Sequence, residues 1–372
     1  MKQEVVWLNG RYDAIDQYIN EAGIKHALLV CGSSVSRLRI GRYFNELQQR
    51  REIRLTRFSD FKPNPDYSSV EKGVDLMKNQ GCDAIIAVGG GSCIDVAKCI
   101  KLFHNMDRSE SFLTQKVVAN ELPFAVIPTT AGTGSEATRY AVIYYKGEKQ
   151  SISDESCIPE TVFFDDSVLE TLPVYQKKCT LLDAFCHAIE SYWSINSTDE
   201  SKEYSHLAIR LILENMDAYL LGSNSGNRDM LRAAFYGGKA INITQTTAGH
   251  AMCYKLTSTF GTAHGYAAAL CVRRLWPFML RHPQQCADRR GRAYLKGVFD
   301  ELAEAMGCET AESAAQRFGE IIDSFGLPVP VYKDKAQIEM LTQSVNPVRL
   351  KNHPVMLSTE DIRKLYRLIL SC

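Results

Sequence analysis

A chain of 372 residues exceeds what one compact core usually organises, so two domains are expected. It is 45% hydrophobic and 23% charged, ordinary for a soluble globular protein, and 43 basic residues balance 43 acidic ones. That balance leaves no bulk field to attract nucleic acid or an anionic membrane. No run of about twenty apolar residues is present to span a bilayer, and the first residues lack the apolar core of a signal peptide. The 12 cysteines are scattered without a CxxC pair. Several of them (Cys31, Cys82, Cys99, Cys271) sit in apolar runs as small hydrophobes, which reads as a reducing, cytoplasmic setting.

In chain order, "KHALLVCG" is a continuous apolar run ending at Gly32, as a buried parallel strand should be. "SRLRIGRYFNELQQR" follows with helical spacing, and "IRLTRFSDF" reads as a second strand. After "KPNPDYS", Ser68 and Glu71 are spaced as a capping box for a helix running to about Asn79. "CDAIIAV" is another buried strand, leading through "GGGS" into the helix "CIDVAKCIKLFHNM", and "PFAVIPTT" is a fourth. "TRYAVIYYKGEKQSI" alternates as a hairpin turning near Gly147, and "ETVFFDD" closes the strands. Alternation of strand and helix predicts a parallel sheet with helices on both faces. From Leu172-Pro173 onward helical periodicity takes over, as in "YSHLAIRLILENMDAYLL" and "RAYLKGVFDELAEAMG". The expected division is an α/β nucleotide-binding domain over 1–175 and an all-helical metal-binding domain over 176–372.

Two turns stand out in the first half. "AIIAVGGGSCIDVAK" takes a strand through three glycines to a helix N-terminus, where close backbone approach and unpaired N–H groups suit a pyrophosphate, although it is not GxGxxG. "IPTTAGTGSEAT" is a second strand-ending turn, rich in small hydroxyls. Two such turns at the carboxyl ends of parallel strands are where an open α/β sheet takes a nucleotide.

In the second half, "TLLDAFCHAIESYW" is an apolar helix carrying Asp183 and His187 at i and i+4, on one face. "TTAGHAMCYKLTSTFGTAHGYAAAL" adds His250 and His264, drawn from only 8 histidines in the chain. One carboxylate and three imidazoles suit a divalent transition metal with an open coordination position, iron or zinc equally. The ion's charge would offset the cost of burying the aspartate.

"VGGGSCIDVAK", "PTTAGTGSEAT", "DAFCHAIESYW" and "FGTAHGYAAAL", in that order and spacing, resemble the iron-dependent (group III) alcohol dehydrogenases over nearly the whole chain. The resemblance implies an N-terminal nucleotide-binding domain, a helical C-terminal domain and a cleft between them. It implies Asp183, His187, His250 and His264 as ligands of Fe2+ or Zn2+. It also places Gly90, Gly91, Ser92, Asp95, Thr129, Thr130 and Lys149 where the family holds its nicotinamide. The implied reaction interconverts an aldehyde and a primary alcohol with NAD(P)(H), in a small-molecule enzyme that is expected to be a homodimer.

Two departures bear on the chemistry. Where the family commonly has a histidine four residues after the third ligand, this chain has Tyr254, whose hydroxyl could still pass a proton. Where NAD-preferring members carry an aspartate after the "LLV" strand, this chain has Gly32, so NADP(H) is admissible. "ESYWSINSTDES" and "GGKAINITQTTAGHAMCY" further resemble the branch of phosphonoacetaldehyde reductases, which make 2-hydroxyethylphosphonate. A phosphonate would need cationic contacts, with Lys239, Arg139 and Lys255 as candidates. The alternatives are a general short-chain alcohol, diol or lactaldehyde dehydrogenase, a dehydroquinate-synthase-like lyase on the same fold, and a non-catalytic relative, against which four intact ligands argue.

Overall fold

The structure, a computed structural model, describes residues 3–50 and 53–370. The chain divides into two compact units, residues 1–130 with 134–172, and residues 131–133 with 173–372.

In the first unit six strands form one parallel sheet: β1 (Glu4–Trp7), β2 (His26–Cys31), β3 (Arg54–Phe58), β4 (Ala84–Gly89), β5 (Phe124–Pro128) and, after a hairpin, β8 (Thr161–Phe164). Their order is β1-β8-β5-β4-β2-β3. Every residue of β2, β4 and β5 is buried, which is why these strands read as unbroken apolar runs. Helices α1 (Asp13–Glu21), α2 (Arg39–Gln49), α3 (Tyr67–Gln80) and α4 (Gly91–Phe103) connect them. Leu28, Val30, Val74, Ile85, Ile94, Ile100 and Val126 share one core, each such side chain contributing about 1.5–3 kcal/mol. The antiparallel hairpin is β6 (Tyr140–Tyr145) and β7 (Glu148–Ser153), and it turns through Lys146 and Gly147, both with positive φ.

Two features differ from the sequence expectation. The β1 strand is an edge strand of four residues, too short to announce itself, and it is held by parallel pairing to β8. Ser68 and Glu71 do not form a capping box. α3 starts two residues earlier, with Asp66 at its N-cap and no side-chain cap, while Glu71 pairs with Arg108 at 2.8 Å. The long-range arginine outcompetes the local cap for the carboxylate.

The second unit is helical, and its main members are α5 (Val174–Trp193), α6 (Asp199–Leu220), α7 (Asn224–Thr244), α8 (Ala248–Phe260) and α9 (His264–Arg281). α10 (Arg292–Ala305), α11 (Ala311–Ser324), α12 (Lys335–Ser344), the single turn α13 (Pro347–Leu350) and α14 (Thr359–Leu370) complete it. Fifteen of the 20 residues of α5 are buried, so this helix runs through the core with α6, α7, α9 and α10 around it. Segment 131–133 joins this unit because Gly132 lies against Thr180. A Cβ at 132 would come within 2.7 Å of the Thr180 Cβ. No described helix is long and apolar enough to cross a membrane.

Candidate metal centre

α5 carries Asp183 and His187 one turn apart, both buried, with the Asp183 Oδ1 3.9 Å from the His187 Nε2. His250 lies in the first turn of α8, and its Nε2 is 3.4 Å from the same Oδ1. Ligand atoms of Asp183, His187 and His250 lie within 4.8 Å of one another. The His187 and His250 rings stack at 4.6 Å between centroids. His264 opens α9 and is brought alongside, its ring centroid 5.4 Å from that of His250 and its Nδ1 3.5 Å from the Cys253 Sγ. What lets α9 start this close to α5 is Gly265. A Cβ there would meet the Cys179 carbonyl oxygen at 2.2 Å and the Asp183 Cβ at 2.5 Å.

Burial works against an ionised Asp183, yet the surrounding imidazoles of His187, His250 and His264 hold its carboxyl below the usual carboxylate range. Burial pulls the His187 imidazole down to about 4, so it is neutral with a lone pair to offer. Burial would also lower His250, but the Glu190 and Asp183 carboxylates reverse this and push it up to about 9.

Glu190, wholly buried on α5, explains the orientation of His250. Its Oε2 accepts the His250 Nδ1–H, which orients the ring and turns Nε2 toward Asp183 and His187. Its Oε1 accepts from the backbone N–H of Thr247 at 3.0 Å and of Gly249 at 2.9 Å, and from the Thr247 hydroxyl. Trp193 Nε1 in turn donates to that hydroxyl at 3.0 Å. Glu190 therefore caps α8 from another helix and stays ionised below the ordinary glutamate range, because the His250 imidazole and these donors outweigh its burial. A carboxylate behind a ligating imidazole is the usual support of a metal-bound histidine. The donor set and its buried, oriented arrangement fit a divalent transition metal.

Tyr254, four residues after His250 on α8, stacks on the His264 ring at 5.4 Å between centroids with 19° between planes. On α13, Arg349 lies over the Tyr254 ring and its Nη1 donates to the Tyr254 Oη at 3.4 Å.

In the first unit, the two glycine-rich turns are adjacent. Pro128 pairs with Gly89, the Thr129 N–H donates to the Gly89 carbonyl at 3.0 Å, and Thr130 packs against Gly90, where a Cβ would lie 3.0 Å from its Oγ1. Gly90 is the N-cap of α4 without a side-chain cap bond, and Gly91 and Ser92 form the first turn. The Asp95 carboxylate accepts from the Ser135 Oγ at 2.7 Å and the Val142 N–H at 3.1 Å, so both of its oxygens have partners inside the protein. Lys149 lies opposite Tyr144 in the hairpin. Buried Lys98 donates to the carbonyls of Ser135, Thr138 and Tyr140 at 2.6, 2.6 and 2.8 Å, so α4 holds the second turn with both an acid and a base.

Residues 3–166 match the family described as iron-containing alcohol dehydrogenase, and residues 178–370 match its C-terminal domain. The chain belongs to the iron-containing alcohol dehydrogenase family. It is 31% identical over 297 residues to the phosphonoacetaldehyde reductase of Streptomyces viridochromogenes, covering 76% of this chain and 75% of that protein. It is 28% identical over 320 residues to the aldehyde-alcohol dehydrogenase of Streptococcus pneumoniae, a match covering 80% of this chain but only 35% of that longer protein. The iron-containing alcohol dehydrogenase of Thermotoga maritima superposes with a TM-score of 0.82 at 26% identity, covering 100% of this chain and 99% of that one.

Within this family frame, three contributors escaped the sequence reading. Glu190 stands inside the "DAFCHAIESYW" motif and reads there as an ordinary helix residue. Gly265, beside a candidate ligand, was the one legible signal, since a glycine in an apolar helix start implies close packing. Arg349 stands 95 residues from its tyrosine, and no local pattern joins them.

Proposed function

We propose that the chain is a metal-dependent NAD(P)(H) oxidoreductase that interconverts a short aldehyde and its primary alcohol. In the finer form of this reading, the aldehyde is phosphonoacetaldehyde. The convergence of Asp183, His187 and His250 carries it, in a chain whose family is named for iron. Asp183, His187, His250 and His264 would hold the ion, iron or zinc. When bound, the ion supplies Lewis-acid polarisation of the carbonyl and the nicotinamide supplies the hydride.

The protein's own contribution is position and charge. Asp183 brings one negative charge to the site, and Glu190 keeps the His250 Nε2 turned toward it. Gly90, Gly91 and Ser92, with Thr129 and Thr130 beside them, offer backbone N–H groups and small hydroxyls to a pyrophosphate. Tyr254 Oη is the atom that would hand a proton to the product oxygen. Gly32 follows β2 and leads to Ser33, Ser34 and Arg37 with no carboxylate between, which supports acceptance of NADP(H). The exposed edge at β1 supports a homodimer formed by strand pairing.

The test is a panel of phosphonoacetaldehyde, propanal and lactaldehyde with NADH and NADPH, with iron or zinc added. Reduction that chelation abolishes and the matching ion restores is the expected result. His187→Ala retaining full turnover after chelation would overturn the metal reading. A rate for phosphonoacetaldehyde no better than for propanal removes the finer reading and leaves the broad one. Turnover without net NAD(P)H consumption would indicate lyase chemistry instead.

A further inference from the structure

We propose that Arg349 is the substrate-recognition cation of this site, selecting short aldehydes that carry an anionic group at the far end. The inference rests on the aldehyde-reductase reading above and adds the residue that would choose the substrate.

Two of the three cations suggested by sequence, Arg139 and Lys239, are poorly placed for this task. Arg139 is paired with Glu155 and also donates to Tyr140. The Lys239 ammonium lies 5.3 Å from the Phe235 ring centre, and burial depresses its charge.

Arg349 is different. It is half-buried, and no carboxylate among the described residues pairs with it. Its contact is Tyr254, which takes one of its five N–H donors at Oη and offers its ring to the guanidinium plane at 5.1 Å. A partly desolvated guanidinium without a counter-charge is costly, and an arriving anion would supply that charge.

The geometry sets the reach. The guanidinium carbon and the His264 ring centre lie 5.1 and 5.4 Å from the Tyr254 ring centre, so they are at most about 10.5 Å apart. A two-carbon aldehyde with an anionic head spans roughly 5 Å, and a charge-assisted hydrogen bond adds about 2.8 Å. A short anionic aldehyde lies within this upper bound.

The segment bearing Arg349 is also fixed in place. Asn346 caps α13 by accepting the Val348 N–H at 2.9 Å. Three residues after Arg349, Asn352 donates to the Gln245 Oε1 at 2.9 Å, accepts from the Asn196 Nδ2 at 3.0 Å, and receives the Ile195 N–H on its carbonyl at 3.1 Å. Gln245 itself is held at φ 59°, ψ 173°, a conformation that side-chain-bearing residues avoid and that persists only where the surroundings enforce it. Arg349 therefore projects from an over-determined segment tied to the turn that begins α8.

The alternative is that Arg349 merely props up Tyr254, and the ratio of two substrates separates the roles. Purified, metal-loaded wild type, Arg349→Lys and Arg349→Met are compared for kcat/KM on phosphonoacetaldehyde and on propanal, with methylphosphonate as an inhibitor competing with propanal. The phosphonoacetaldehyde-to-propanal ratio is expected to fall about 10- to 100-fold in Arg349→Met and less in Arg349→Lys, which keeps the charge without the fork. Inhibition by methylphosphonate should weaken in parallel. Equal losses on both aldehydes would overturn the proposal and leave the reductase reading intact. A wild type that reduces neither aldehyde would overturn both.

Discussion

Replacing Glu190 with alanine probes the hidden support of the candidate metal centre. The substitution removes a wholly buried carboxylate that accepts from the Thr247 and Gly249 N–H groups, the Thr247 hydroxyl and the His250 Nδ1–H. Each buried donor left without an acceptor costs about 1–3 kcal/mol, and breaking a buried charged network as a unit costs about 3–5 kcal/mol. Thr247 makes no side-chain cap bond to α8, so nothing local replaces what is lost. With its support gone, the His250 ring is free to turn, and loss of such a carboxylate typically weakens metal binding about 10- to 100-fold. Urea unfolding of the metal-free protein should therefore show a loss of about 3–5 kcal/mol, and chelator competition should show weaker metal binding. Glu190→Gln keeps the volume and an acceptor for the α8 amides, so it should lose less stability. Its amide nitrogen would face the His250 Nδ1–H, however, and metal affinity should still drop. An alanine variant within about 1 kcal/mol of wild type, or wild-type metal affinity in both variants, would refute the argument.

Gly265→Ala forces a methyl into the Cys179 carbonyl and the Asp183 backbone. It should cost about 2 kcal/mol or more in thermal or urea unfolding and lower metal affinity, whereas a silent variant would mean α9 moves aside freely. Metal at 100 times its dissociation constant should stabilise the wild type by about 2.7 kcal/mol, a shift in melting temperature that His187→Ala should lose; equal shifts in both proteins would place the ion elsewhere. Burial pushes the Glu136 carboxyl up to about 7, from an ordinary 4.5, near buried Lys98. The folded chain then keeps a proton that the unfolded chain loses between pH 4.5 and 7. This contribution is fully present below 4.5, declines by about 3 kcal/mol up to pH 7, and is flat above. Glu136→Gln should thus gain on wild type by about that amount between pH 5 and pH 8, and an unchanging difference in unfolding free energy across that range would count against it.

Short-range periodicity and turn chemistry were enough to read β2, β4 and β5 from their apolar runs, the hairpin from Lys146-Gly147, and the Asp183–His187 pair from its i, i+4 spacing. Each of these is encoded within a window of a few residues, where helix and strand geometry alone decide which side chains share a face. Other features needed the folded chain. β1 exists because β8 offers it an edge, and Glu71 abandons its helix cap because Arg108 is within reach. Glu190 serves His250 across 60 residues, and Arg349 meets Tyr254 across 95. A buried charge takes whichever partner the packing delivers, and nothing in the local sequence names that partner. Composition and spacing therefore determined the fold class and the candidate ligands, while tertiary packing decided which charges support those ligands and which cation stands beside them.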